Sequence, residues 1–189
     1  MKTMKSILTV VLVLATFSMF AQEMKIDTKK STMTWLGEKV TGEHTGTIEL
    51  KSGSLTWKEN RITAGEFTIN MASIKNSDVE DAGYKAKLEG HLKSEDFFGV
   101  DKYPTATLVI ISSEFNNNKG KVKANLTIKG ITHPIEFEVT KDGNKFSADI
   151  IVDRAKYDVR YGSGSFFDNL GDKTIYDDFK LSVVIVASK

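Results

Sequence analysis

Few side chains in this sequence are equipped for chemistry. The chain has 189 residues, three histidines and no cysteine. Without cysteine there is no disulfide, no thiolate metal site and no Cys nucleophile. His44, His91 and His133 carry the only imidazoles. If the protein turned over a small apolar substrate, His44 or His91 would be its general base. The three lie far apart with no H-x-x-x-H spacing, so no metal-ligand set is legible. Asp172, Asp177 and Asp178 form an acidic cluster that suits calcium, but such loops are more simply read as solvated. Gly162-Ser163-Gly164-Ser165 lacks the G-x-S-x-G spacing of a nucleophile elbow and does not follow an apolar strand into a helix. No phosphate-cradling G-x-x-x-x-G-K-[ST] is present. The sequence therefore assigns no catalytic residue, no metal and no cofactor, and reads as a non-enzyme.

Charge narrows the partners. There are 26 basic and 25 acidic side chains, for a formal net charge of +1. A nucleic-acid binder normally shows a basic excess, so nucleic acid is not expected as a partner. Residues 1–21 have the layout of a cleaved secretory signal: Lys2 and Lys5, then an apolar run from Ile7 to Phe20, then the small Ala21. The apolar run is shorter than the roughly 20 residues of a membrane span. The expectation is cleavage near Ala21, a periplasmic or secreted product that does not span a membrane, and one domain over 22–189.

That domain is a succession of period-two segments. Val122, Ala124, Leu126 and Ile128 alternate with polar residues, as do Ile135, Phe137 and Val139, then Phe146, Ala148, Ile150 and Val152. Phe179, Leu181, Val183, Ile185 and Ala187 close the chain in the same manner. Ile62, Ala64, Phe67, Ile69 and Met71 read as one face, with Gly65 breaking the phase like a bulge. Shorter segments cover 32–41, 46–51 and 54–58, and 105–112 is apolar on both faces towards its end. Turn signals separate them: Asp142-Gly143, Glu59-Asn60, Ser52-Gly53, Asn116-Asn117-Asn118 with Gly120, and the stretch from Gly130 to Pro134. Such strands form an antiparallel sheet, and about eight or nine of them suffice to close a barrel. One insert differs. Ser77-Asp78-Val79-Glu80 has the form of a capping box, and Tyr84, Leu88 and His91/Leu92 recur at helical spacing, which predicts a helix over 78–93 and a short turn over 94–98. His91 is placed at the helix end as a cap. The Gly-rich stretch 162–173 carries Phe166 and Phe167 but no assignable role.

Several pieces, in this order, resemble the YceI-like family of exported, lipocalin-like lipid-binding proteins. They are Thr34-Trp35 with Gly42 and His44-x-Gly46; Gly65-x-Phe67-x-Ile69-x-Met71-x-Ser73-Ile74; Leu88-x-Gly90-His91-Leu92-Lys93-Ser94-x-x-Phe97-Phe98; Tyr103-Pro104-x-Ala106; Leu126-Thr127-Ile128-Lys129-Gly130-Ile131-Thr132-x-Pro134; and Asp153-Arg154-x-x-Tyr157. The resemblance implies an all-β fold: an antiparallel eight-stranded lipocalin-like barrel, its helical insert capping one end, around a long apolar cavity. It implies an isoprenoid-type lipid as ligand and partner, such as a polyprenyl chain, a quinone or a prenyl phosphate. Trp35, Phe67, Ile69, Leu126, Phe137 and Ile150 are the candidate wall, and Leu88, Leu92, Phe97 and Phe98 the candidate cover. Arg154 and Tyr157 are the candidates for a polar head group. Plain core packing, or a surface pair of Arg154 with Asp153 or Asp158, are the alternative readings of the same residues. A filled barrel serving as an interaction module, and an outer-membrane barrel with its apolar face outward, are the alternative architectures. A homodimer is left open.

Overall fold

The computed structural model describes residues 22–188; the leader read at 1–21 lies outside them. Nine strands and one helix run in the order β1 (Gln22–Ile26), β2 (Thr32–Lys39), β3 (Gly42–Lys58), β4 (Arg61–Asn76), α1 (Ala82–Lys93), β5 (Thr105–Asn116), β6 (Lys119–Ile128), β7 (Ile131–Asp142), β8 (Lys145–Asp153) and β9 (Ile175–Ser188). The ring reads β3-β2-β9-β8-β7-β6-β5-β4 and closes where β4 pairs back onto β3. All neighbours are antiparallel. β1 adds no ninth position. It pairs with the far ends of β3 and β9, at Lys25↔Ser54 and Lys25↔Ser188, and so continues the slot that β2 occupies higher up. The turn between them is fixed by Asp27, whose carboxylate accepts from the Lys29 and Lys30 amides, and by Ser31, whose hydroxyl accepts from the Val186 amide.

Alternation sets what lies inside. On β6, Val122, Ala124, Leu126 and Ile128 are all buried and the residues between them face out. β4 keeps its apolar face inward only by breaking phase. Thr56↔Ala64 is followed by Trp57↔Ile62, which leaves Thr63 unopposed. The slip therefore falls at Thr63, two residues before the expected position at Gly65: Ile62 and Gly65 point in, while Ala64 is exposed. A larger irregularity follows between Thr47↔Lys75 and Glu49↔Asn70, where Ser73 accepts the Glu49 amide and returns a bond to the Asn70 carbonyl.

Two sequence expectations need correction. Ser52-Gly53 is not a turn; both residues lie inside the single 17-residue β3. A Cβ on Gly53 would sit 2.8 Å from Phe67 Cδ1, so this glycine serves a close approach between strands. Pro134 likewise lies within β7, because Lys129-Gly130 alone makes the β6–β7 turn, with φ of 51° and 75°.

The helix begins at Ala82, four residues later than its spacing predicts, with Asp81 as the cap accepting from the Tyr84 amide at 2.6 Å. The expected capping box of Ser77 with Glu80 is not formed: the Ser77 amide donates to the Thr45 carbonyl (2.9 Å), and the segment is held to β3 by Asp78. Its carboxylate accepts from Thr45 N (2.8 Å) and Asn76 Nδ2 (2.6 Å) and pairs with His44 Nδ1 (2.8 Å). α1 is tied to the end of β4 by Glu89, which accepts the Asn76 amide. Its placement puts the insert over one end of the barrel, here called the upper end. The two-residue turns at 59–60, 117–118 and 143–144 define the lower end.

Candidate ligand-binding cavity

Inward side chains from every strand of the ring leave a cavity of about 190 Å³. Trp35, Phe67, Ile69, Leu126, Phe137 and Ile150 line it, as do Leu92, Phe97, Phe98 and Arg154. The rest of the wall includes Met33, Leu108, Ile110, Phe146, Phe179 and Leu181. Trp35, Ser147, Arg154 and Tyr176 are the only lining residues whose side chains carry polar atoms. Away from the openings this wall supplies almost none of the two to four polar partners that a water needs, which favours an apolar occupant.

The upper cover is aromatic. Phe97 stacks edge-on against Phe98 (centroids 5.1 Å apart), and Phe98 meets Phe179 at 6.3 Å. Leu92, from the last turn of α1, reaches the cavity. Leu88, one turn earlier, does not; it remains half-buried outside the lining, so its place in the cover is withdrawn. At the rim, Tyr176 lines the cavity while half exposed, and a Cβ on Gly37 would meet nothing within 4 Å. Here the interior meets solvent. Neither residue carried a sequence signal, because a strand glycine and an exposed tyrosine are common without any such role.

Arg154 is placed differently from a head-group receptor. It is 2% exposed, on the short 3-10 turn Arg154–Tyr157 that follows β8. Its nitrogens donate to four carbonyls: Nε to Tyr176 (3.1 Å), Nη1 to Val159 (2.8 Å) and Tyr161 (3.0 Å), and Nη2 to Ile175 (2.9 Å). Asp177 lies 3.4 Å from Nη2, and the ring of Phe97 lies 5.4 Å from the guanidinium carbon. Burial lowers the Arg154 pKa, and the charges of Asp177 and Asp153 oppose that. The donors are committed to main chain, so Arg154 contributes an apolar stem and a pinned rim, not a free cation. Neither expected surface pair forms; Asp158 faces Arg160 instead.

Tyr157 leaves the list as well. It is 1% exposed, packed edge-on against His133 (5.3 Å), with its hydroxyl buried and unpartnered and outside the cavity lining. Burial, then the Asp153 charge, pushes its pKa up. The histidines are dispersed. His44 pairs with Asp78. His133 Nε2–H donates to the Lys156 carbonyl at 2.9 Å. His91 lies between Phe97 and Tyr161 with a buried, unpartnered Nε2. The His91 ring does not cap α1; its carbonyl accepts from Ser94 N and Oγ. None of the three lines the cavity.

Comparison with known proteins bears on this cavity. The profile of the YceI-like domain matches residues 24–187, and the chain belongs to that family. A UPF0312 protein of Pseudomonas aeruginosa is 33% identical over 85 residues, covering 44% of this chain and 41% of that protein. Protein YceI of Shigella flexneri is 30% identical over 95 residues, 49% of this chain and 46% of the relative. The alignments thus span less than half the length of these curated relatives. Among solved structures, BcnA of Burkholderia cenocepacia superposes with a TM-score of 0.67 at 22% identity, over 86% of this chain and 99% of BcnA. A polyisoprenoid binding domain from Saccharophagus degradans gives 0.62 at 15% identity, over 87% and 97%. At these identities the likeness is one of fold.

Proposed function

We propose that this YceI-like chain is an exported binding protein that holds the chain of an isoprenoid-type lipid, such as a polyprenol, quinone or prenyl phosphate, in its barrel. The apolar cavity, walled by the inward face of the whole ring, carries this reading. The name of the Saccharophagus degradans neighbour supports it. Each buried CH₂ contributes about 0.8 kcal/mol, so a prenyl chain gains strongly by leaving water for such a wall. At about 190 Å³ the interior takes one or two isoprene units, by the measure of a ~150 Å³ void that accommodates benzene. A longer chain has to move side chains or emerge. Binding needs no nucleophile or metal, and no histidine lines the interior; the protein is read as a carrier and not an enzyme. The leader-like segment 1–21 supports placement in the periplasm or outside the cell.

The two tryptophans make the test direct. Trp35 lines the cavity and Trp57 lies at the lower end. In a Trp57→Phe variant, titration with a prenyl alcohol is expected to give saturable change in Trp35 emission. A flat titration, with prenyl alcohol and prenyl phosphate alike, contradicts the reading.

A further inference from the structure

One seam of the barrel is unlike the rest. β7 pairs with β6 along ten residue pairs and β8 with β9 along nine. Between β7 and β8 there are three: Thr140↔Ser147, Lys141↔Phe146 and Asp142↔Lys145, all beside the hairpin turn. Above Thr140 and Ser147 the strands run without a ladder. A comparable parting of β4 from β5, below Gly65↔Ile110, is bridged by Ser113, whose hydroxyl accepts from Ile62 N (2.9 Å) and donates to Ile62 O (2.8 Å). Among the described residues no side-chain hydrogen bond or ion pair joins β7 to β8 above Thr140 and Ser147; the contact of Lys141 with the Phe146 ring (5.9 Å) lies at the rungs.

The cavity extends into this seam. Phe146, Ser147 and Ala148 all line it. Successive residues of a strand face opposite sides, so three in a row touch one void only where the void reaches the strand's edge. The inward residues of β7, Ile135 and Phe137, are half-buried where those of β6 are buried. The seam is framed. Below it stand the three rungs. Above it, the turn Arg154–Tyr157 is stitched to the start of β7 by His133 Nε2 on the Lys156 carbonyl, and Lys129 Nζ donates to the Asp158 carbonyl at 2.7 Å. The opening spans about six residues, roughly 20 Å.

We propose that this seam is a side portal for the ligand, and that the head group it receives is uncharged. The inference rests on the isoprenoid reading. The facing strand edges present N–H and C=O groups with no strand partner, and such groups are satisfied by water or by a ligand. A hydroxyl or quinone carbonyl at the end of the chain meets donors and acceptors there. A phosphate finds no lysine or arginine along 134–139 or 148–152; Lys141 and Lys145 lie beside the rungs below, and Lys156 above is 3.7 Å from Asp153. The outward charges of these strands include Glu136, Glu138 and Asp149, and the lysines that reach Glu136 and Asp149, Lys123 and Lys180, belong to the neighbouring strands β6 and β9. Portal and head-group preference thus follow from one piece of geometry.

The native chain has no cysteine, so a pair introduced across the seam is unique. Continuing the hairpin register sets Glu138 opposite Asp149. In a Glu138→Cys/Asp149→Cys variant, a short disulfide-cleavable bis-thiol linker is expected to slow exchange of bound geranylgeraniol at least tenfold, and reduction to restore it. The same linker across the laddered pair Lys123→Cys/Glu136→Cys is expected to leave exchange unchanged. Geranylgeraniol is expected to bind at least tenfold more tightly than geranylgeranyl diphosphate. In the unaltered protein, amides of 135–139 and 148–152 are expected to gain hydrogen-exchange protection with geranylgeraniol, a readout that does not depend on how the variants fold. Exchange indifferent to the seam linker, absent protection there, or equal binding of the diphosphate overturns the proposal while leaving the isoprenoid reading intact. If the unaltered protein binds neither probe, both fall.

Discussion

The two ends of the barrel are closed by different physics. At the lower end three two-residue turns bring the strands together, and aromatic packing seals what remains. Trp57 meets Phe115 edge-on at 5.1 Å and Phe146 at 5.9 Å, and the Lys141 ammonium lies 5.1 Å from the indole centre. At the upper end two connections are two-residue turns and two are long, 77–104 and 154–174, and a few polar anchors hold them: Arg154 for 158–176, Asp78 for 76–79 with the start of β3, and Glu89 for α1. Packing distributes stability over many contacts. An anchor concentrates it, so the upper end can loosen without the barrel coming apart.

The sharpest way to break this contrast is Arg154→Met. Four carbonyls lose their donor and Asp177 loses its partner, a loss expected to cost about 3–5 kcal/mol. Hydrogen exchange is expected to rise across 158–176 and stay low in β6. Uniform loosening of the whole barrel contradicts the division. Trp57→Ala should do the reverse, with about 3 kcal/mol lost in denaturant unfolding, no selective change in the upper loops, and prenyl alcohol still bound. Loss of binding with the fold intact shows that the lower plug shapes the site.

Asp78 offers a smaller and pH-dependent test. Burial pushes its pKa up, but bonds from His44, the Thr45 amide and Asn76 outweigh that and hold it below the ordinary value of 3.8. A depressed folded pKa means that the contribution is complete above 3.8 and is lost as pH falls below it towards the folded value. Asp78→Ala is expected to lose about 1–2 kcal/mol near neutrality and to show a flatter stability profile in acid than the unaltered protein. Parallel profiles contradict this assignment. Gly37→Leu, at the open rim, is expected to change stability by less than about 0.5 kcal/mol while weakening prenyl alcohol binding. Unchanged affinity shows that the rim is not on the ligand's path.

Much of the barrel is legible because each inward side obeys a period of two, as Val122 to Ile128 and Phe146 to Val152 show. Misreadings arise where one residue type serves two purposes. Gly53 looks like a turn and is a gap for Phe67. Ser77 and Glu80 look like a capping box, but Asp78 is drawn to His44 and Thr45, contacts distant in sequence. The site is less legible. An inward Leu126 reads the same around a filled core or a void. Arg154 is a good phosphate ligand by type, yet Val159, Tyr161, Ile175 and Tyr176 bring their carbonyls to it only once the loop has folded. The β7–β8 seam leaves no trace, because alternation continues through Ile135 and Ile150 whether or not their strands are bonded.

Mass spectrometry of organic extracts, taken from the protein purified without detergent from a bacterial host, addresses the lipid-binding reading most directly. We expect a prenyl-chain lipid with an uncharged oxygen-bearing head, near one per chain, and its loss when the interior is blocked by Ala148→Trp. Extracts free of such lipid, from protein that also fails to take up added prenyl alcohol, would contradict it.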